Sequence, residues 1–200
     1  MDPSIMAWKD KRKVMHRYDV TAEIYDERYA EEQKRKYKKA LENSDLSAIS
    51  VLDAGCGSGL FLGQIKVKTK TLVGIDISHK ALLKAKEQIR NIENSYIIQA
   101  DIDNLPFKQN TFEKVFGFTV LHNLPKPVKT LNELKRVATV DGKVVVTGLK
   151  KAFQLDKFLD ILETSGFEVT GFVDDESLNC YVATLTAKHL HINYLSSVSV

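Results

Sequence analysis

Apolar positions recur along this chain with two periods, in short β-branched runs and in longer stretches at helical spacing. Val51-Leu52, Thr71-Leu72-Val73-Gly74-Ile75 and Tyr96-Ile97-Ile98-Gln99-Ala100 are strand-like runs, each followed by a turn or helix signal. Phe112 to Val120 reads as a fourth strand. Lys143-Val144-Val145-Val146-Thr147-Gly148 reads as a central fifth, entered through a tight turn at Asp141-Gly142. Leu60, Phe61, Leu62 and Ile65 start a helix after the first strand. Ser78 sits at an N-cap position ahead of Ala81, Leu82, Ala85, Ile89 and Ile92, the apolar stripe of a crossover helix. Val128, Leu131, Leu134 and Val137 mark another helical face. Phe158, Leu159 and Leu162 mark the last, in a helix from Phe153 to Ser165 that Gly166 stops. Phe167 to Val173 and Cys180 to Ala187 close the chain as an antiparallel edge pair around the acidic turn Asp174-Asp175-Glu176. Seven strands with helices between the first six predict an α/β fold, a three-layer sandwich with helices on both faces.

The N-terminal part is more polar. Residues 1–17 read as an arm whose one large anchor is Trp8, and Tyr18, Tyr25 and Tyr29 follow in a very polar neighbourhood. Thr21 is placed to cap a short helix, and the basic stretch running to Leu41 reads as another. The expected organisation is a single domain: an arm with covering helices over 1–45, a core over 46–187 and a tail over 188–200.

Chemistry enters where strands meet acids. The first three runs end at Asp53, Asp76 and Asp101, and in an open parallel sheet the carboxyl ends of the strands form the ligand crevice. Directly after Asp53 come Gly55, Cys56, Gly57, Ser58 and Gly59, glycines at alternate positions that let a backbone turn tightly beside a ligand. Each acid taken singly has an ordinary reading as a strand-end or N-cap residue; three in register point to a ligand rim. A dinucleotide is disfavoured, because Asp53 would repel a pyrophosphate and the turn lacks the G-x-x-G helix-packing tail.

Leu52-Asp53-Ala54-Gly55-Cys56-Gly57-Ser58-Gly59, Gly74-Ile75-Asp76-Ile77-Ser78 and Gln99-Ala100-Asp101-Ile102 resemble, in order, the first three motifs of the class I, Rossmann-like S-adenosylmethionine-dependent methyltransferases. The resemblance runs roughly from residue 15 to 187 and is specific for the cofactor, not the substrate. It implies a mostly parallel sheet of order 3-2-1-4-5-7-6 with the last strand antiparallel. It also implies S-adenosyl-L-methionine as cofactor and S-adenosyl-L-homocysteine as product. In that frame Asp76 accepts from the ribose hydroxyls, Asp101 from the adenine amino group, and Asp53 faces the donor's amino group directly or through water. Gly55 and Gly57 let the backbone approach, with Cys56 between them. Ile77 and Ile102 sandwich adenine, and Thr119 borders the site. Tyr25 and Arg28, from a segment that folds over the cofactor in such enzymes, approach it too, unless these tyrosines simply pack the arm on the sheet.

The same resemblance places the acceptor at the end of the fourth strand. Thr119-Val120-Leu121-His122 stands there instead of the Asp/Asn-Pro-Pro-Tyr/Phe of many amino-methyltransferases, and that chemistry is disfavoured. His122 is a candidate general base, its alternative being a histidine that packs the helix start or bonds the loop. Only Lys150-Lys151-Ala152 separate the fifth strand from the next helix, so no lid is inserted there. The acceptor is an RNA or a translation component, or a small metabolite; a catalytically silent binding module is the third reading. The apolar third strand, at the sheet edge, is an expected dock for a small activator protein, as in some relatives of this class.

Composition narrows the setting. With 44% hydrophobic and 28% charged residues and no run of 18 apolar residues, the chain reads as a soluble protein without membrane association. Two cysteines, no zinc spacing and a polar start without a signal pattern imply no metal site and a reduced, cytoplasmic location. Net charge is only +3, yet residues 9–39 hold eleven Lys/Arg against seven Asp/Glu. Lys34-Arg35-Lys36-Tyr37-Lys38-Lys39 is the densest cluster, either a site for an anionic partner or a solvated helix face.

Overall fold

A computed structural model describes residues 11–12, 15–16, 31–42, 44–65 and 67–188. Strand β1 (Ser50–Ala54) is buried along its whole length in the interior of a seven-stranded sheet. Parallel to it run β2 (Thr71–Asp76), β3 (Ser95–Gln99), β4 (Phe112–Gly117) and β5 (Ala138–Leu149). β7 (Cys180–Ala187) pairs antiparallel with both β5 and β6 (Phe167–Val173). The order is β3-β2-β1-β4-β5-β7-β6, as the sequence motifs imply.

Alternation along the strands sends neighbouring side chains to opposite layers. Leu52 and Val73 pack with Leu131 and Leu134 of α3 (Pro127–Val137) and with Phe158 and Leu162 of α4 (Leu155–Thr164). Val51 and Leu72 pack on the other face with Tyr37 and Ala40 of a helix over 31–41 (α1) and Ile89 of α2 (His79–Ile89). α2 starts where expected, the Ala81 N–H donating to the Ser78 hydroxyl at 3.2 Å. The order reverses between β1 and β4, which opens a crevice at their carboxyl ends.

Three elements differ from the sequence expectation. The helix after the glycine turn is a single 3₁₀ turn, Leu62–Gln64, and the chain is extended by Ile65. Gly63 disfavours a longer helix by about 1 kcal/mol relative to alanine. It also lies so close to α2 that an added Cβ would come within 2.7 Å of Gln88 Oε1. Next, β4 ends at Gly117 rather than Val120, because Thr119 has a left-handed φ of +61° that no strand accommodates. Finally, Asp141-Gly142 does not precede β5 but sits inside it as an irregularity, where Phe112 pairs with Ala138 and Lys114 with Lys143.

Candidate active site

The crevice is walled by the glycine turn after β1, the ends of β2 and β3, the segment after β4 and the inner face of α1. The Gly55 and Cys56 N–H groups both donate to the Ile75 carbonyl at 2.8 Å, which straps the turn across the end of β2. Gly59 (φ +81°) lies against α2, where a Cβ would stand 2.8 Å from the Ala85 Cα, so no larger residue fits. Gly57 (φ +53°) does the opposite: a Cβ there would meet nothing within 4 Å, only the open crevice.

Asp76 is fixed at both oxygens, accepting from the Gly57 N–H at 3.0 Å and from the Ser78 N–H at 2.8 Å. Asp53 is 1% exposed, and its buried Oδ2 has no hydrogen-bond partner among the described residues. Burial, reinforced by the charge of Asp76, pushes its carboxyl up to about 8. The Cys56 thiol is raised well above its usual value by burial first and then by Asp53 and Asp76, so it is no thiolate nucleophile.

At the far end of the rim, Asp101 is already engaged. Lys11, 8% exposed, donates to both Asp101 oxygens at 2.7 Å and lies 2.6 Å from Oδ2 of Asp103. Burial alone would raise the Asp101 carboxyl, but Lys11, the Asp103 N–H and Asn104 together hold it below the usual range. Asp103 also accepts from the Thr130 hydroxyl. Ile77 and Ile102, directly after Asp76 and Asp101 in the chain, line the same crevice.

Thr119 is gripped from three sides. Its N–H donates to Thr147 Oγ1 at 2.7 Å, its carbonyl accepts from Asn123 Nδ2 at 3.1 Å, and its hydroxyl accepts from Lys36 Nζ at 3.0 Å. A β-branched residue at positive φ persists only where its surroundings impose it. His122, on the 3₁₀ turn Leu121–Asn123, has its Nε2 3.2 Å from Asn123 Nδ2. Asn123 lines the crevice; His122 is not among the lining residues.

The structure thus gathers Asp53, Gly55, Cys56, Gly57, Asp76, Ile77, Asp101, Ile102 and Thr119 around one cleft. Tyr25 and Arg28 lie outside the described residues. Lys11, Gln33, Tyr37 and Asn123 also line the cleft; Tyr37 entered the sequence reading only as part of the basic cluster, and none of the four was expected in the cofactor site. A helical signal for two of them existed: Gln33, Lys36, Tyr37 and Ala40 follow i, i+3, i+4, i+7 spacing and are the buried face of α1. The basic cluster is therefore divided, Lys36 and Tyr37 turned inward and Lys34, Arg35 and Lys38 turned to solvent.

Comparison with known proteins decides the family. A family model described as a methyltransferase domain matches residues 45–182. The chain belongs to the class I, Rossmann-like S-adenosylmethionine-dependent methyltransferase family. It is 30% identical over 152 residues to a malonyl-[acyl-carrier protein] O-methyltransferase of a Marinomonas species, covering 74% of this chain and 56% of that protein. It is 32% identical over 120 residues to the demethylmenaquinone methyltransferase of Staphylococcus saprophyticus, covering 57% and 51%. The chain spans about half the length of the curated relatives it matches. Among solved structures, it has the fold of a chain from the complex between the Haloferax volcanii Trm112 methyltransferase activator and a methyltransferase. That likeness has a TM-score of 0.73 at 15% identity, over 86% of this chain and 98% of that one.

The cleft of this methyltransferase-family chain suits that cofactor. The buried Oδ2 of Asp53, without a hydrogen-bond partner among the described residues, has the acceptor chemistry that an ammonium group requires, and the open space in front of Gly57 leaves its backbone approachable. The fixed carboxylate of Asp76 has the acceptor chemistry that ribose hydroxyls require.

Proposed function

We propose that the chain methylates a small-molecule acceptor using S-adenosylmethionine. The observation that carries this reading is the pairing of Asp53 and Asp76 across the glycine turn, with the buried Asp53 oxygen left for a cationic group. When bound, the cofactor supplies an electrophilic methyl on a sulfonium, so the protein's contribution is to hold donor and acceptor in line. Asp76 would take the ribose, Asp53 the amino group, and Ile77 and Ile102 the flat faces of the base. Asp101 with Lys11 would close the base end. Thr119 and Asn123 would border the acceptor. His122 would act at most through Asn123, since it is off the cleft wall.

The names of the relatives at 30% and 32% identity, an acyl-carrier protein O-methyltransferase and a menaquinone methyltransferase, support a small or carrier-borne acceptor. The outward cations Lys34, Arg35 and Lys38 are what an RNA acceptor would use instead, with binding that weakens steeply with salt. The exposed edge β3 and the likeness to a chain solved with an activator support a small protein partner on that edge. Among the described residues no helix is long and apolar enough to cross a membrane. The free thiols of Cys56 and Cys180 suit a cytoplasmic setting.

Calorimetric titration with S-adenosylmethionine and S-adenosylhomocysteine tests the reading. Micromolar binding that Asp76→Ala weakens by roughly a hundredfold, about 3 kcal/mol, is expected. Equal affinity in the variant would sink the assignment of the site. Binding without turnover on any acceptor would mark a silent module.

A further inference from the structure

Lys36 is buried, 3% exposed, and forms none of the ion pairs found among the described residues. Its ammonium donates to Gln33 Oε1 at 3.2 Å and to Thr119 Oγ1 at 3.0 Å, two neutral oxygens, and also meets the buried Cys180 thiol. A buried cation without a counter-ion is costly. Its two bonds to oxygen also decide what those neighbours can offer. With its oxygen turned to Lys36, Gln33 keeps only its amide N–H donors for the cleft. With its lone pair given to Lys36, Thr119 keeps its O–H proton. Gln33 and Thr119 both line the cleft, and the grip of Thr147 and Asn123 on Thr119 fixes that hydroxyl in place.

Charge is sorted along the cleft accordingly. Asp76 and Asp101 stand at the ends of β2 and β3, on one side of β1, with Lys11 paired to Asp101. On the other side of β1, the segment after β4 and the inner face of α1 carry Phe118, Thr119, Asn123, Gln33 and Tyr37, none of them a carboxylate or imidazole, with the Lys36 charge one hydrogen bond behind. We propose that this donor wall binds an oxyanion of the acceptor, a carboxylate or phenolate, and that this oxygen is the atom methylated. The proposal rests on the methyltransferase reading above. An oxygen that arrives ionised has its lone pair free and needs no base. Its O–C bond forms as the donor's S–C bond breaks, the electron pair stays on sulfur, and no proton moves. Lys36 is then a positioning residue that polarises Gln33 and Thr119 toward the anion.

The experiment uses the full chain, tritiated S-adenosylmethionine and a small-molecule cell extract separated by ion exchange into anionic, neutral and cationic fractions. Label is expected to pass only to compounds of the anionic fraction, as methyl esters or methyl ethers. For the labelled acceptor, Lys36→Met should raise KM roughly tenfold or more, Lys36→Arg should keep most of the wild-type KM, and S-adenosylhomocysteine affinity should stay within about twofold in both. Transfer to the neutral or cationic fraction, transfer to none although S-adenosylhomocysteine binds, or an unchanged KM in Lys36→Met would each overturn the proposal. Failure of the wild type to bind S-adenosylhomocysteine would overturn the methyltransferase reading instead.

Discussion

Asp53 carries the sharpest consequence of the site's electrostatics. Its carboxyl is moved from 3.8 to about 8 by burial and by Asp76. The folded chain therefore holds a proton that the unfolded chain has already released between those two values. Stability contributed by this group falls as pH rises from 3.8 toward 8 and is level beyond, a loss on the order of 6 kcal/mol. Asp53→Asn, which stays neutral, should melt at a higher temperature than the wild type at pH 8, with the gap closing toward pH 4. A ligand ammonium arriving at Oδ2 would drive the proton off. Calorimetry at pH 7 in buffers of different ionisation heat should then report release of close to one proton per cofactor bound, and none in Asp53→Asn. Buffer-independent heats in the wild type would show that no cation meets this carboxylate. The sequence made Asp53 legible as a site residue through its place before the glycines. It did not show that the group is neutral, because near-complete burial of this side chain is a property of packing, not of spacing.

At the scale of elements, the strands and the crossover helices α2, α3 and α4 were readable because period and caps agreed: Ser78 capped α2 and Gly166 (φ +75°) ended α4. What was not readable came from contacts across long separations. Lys11 meets Asp101 ninety residues away, and no local pattern distinguishes it from the other lysines of a basic stretch. That contact ties the N-terminal segment to the end of β3, and its removal should be costly. Lys11→Met removes the cation that pairs with the half-buried Asp101 and the buried Asp103, leaving them only neutral donors, and is expected to destabilise by about 3 kcal/mol and to lower Tm by roughly 6–12 °C. Because the Asp101 carboxyl is held below its ordinary 3.8, the stabilisation it supplies is present above that value and is lost as pH falls through the lowered one. The difference between wild type and variant should therefore be full at neutral pH and shrink below pH 3.8. Adding Asp103→Asn should recover part of it. Thermal melts across pH that run parallel for wild type and variant would show that the pair contributes nothing.

For the molecule as a whole, the two sheet edges are treated differently. β6 is interrupted where its pairing with β7 shifts between Val169 and Gly171, and Glu168 lies on it; a bulge and a charge are ordinary devices for blunting an edge. β3 has neither. Ser95 to Gln99 pair with β2 in unbroken register, carry no charged residue, and leave Tyr96 55% exposed. Lys86 and Arg90 of the α2 region flank the groove beside it. A regular, uncharged edge bordered by cations suits a partner strand that carries acids, which is the physical content of the activator reading. The prediction is that the isolated chain self-associates at high concentration and that Tyr96→Lys suppresses this, since an edge lysine repels a docking strand. S-adenosylhomocysteine affinity should be unchanged, because β3 meets the cleft only at its carboxyl end. Light scattering after size exclusion reads the first effect and calorimetry the second. A wild-type chain that stays monomeric and methylates its acceptor alone would remove the reason for a partner on this edge, and the bare strand would then be a tolerated liability, not an interface.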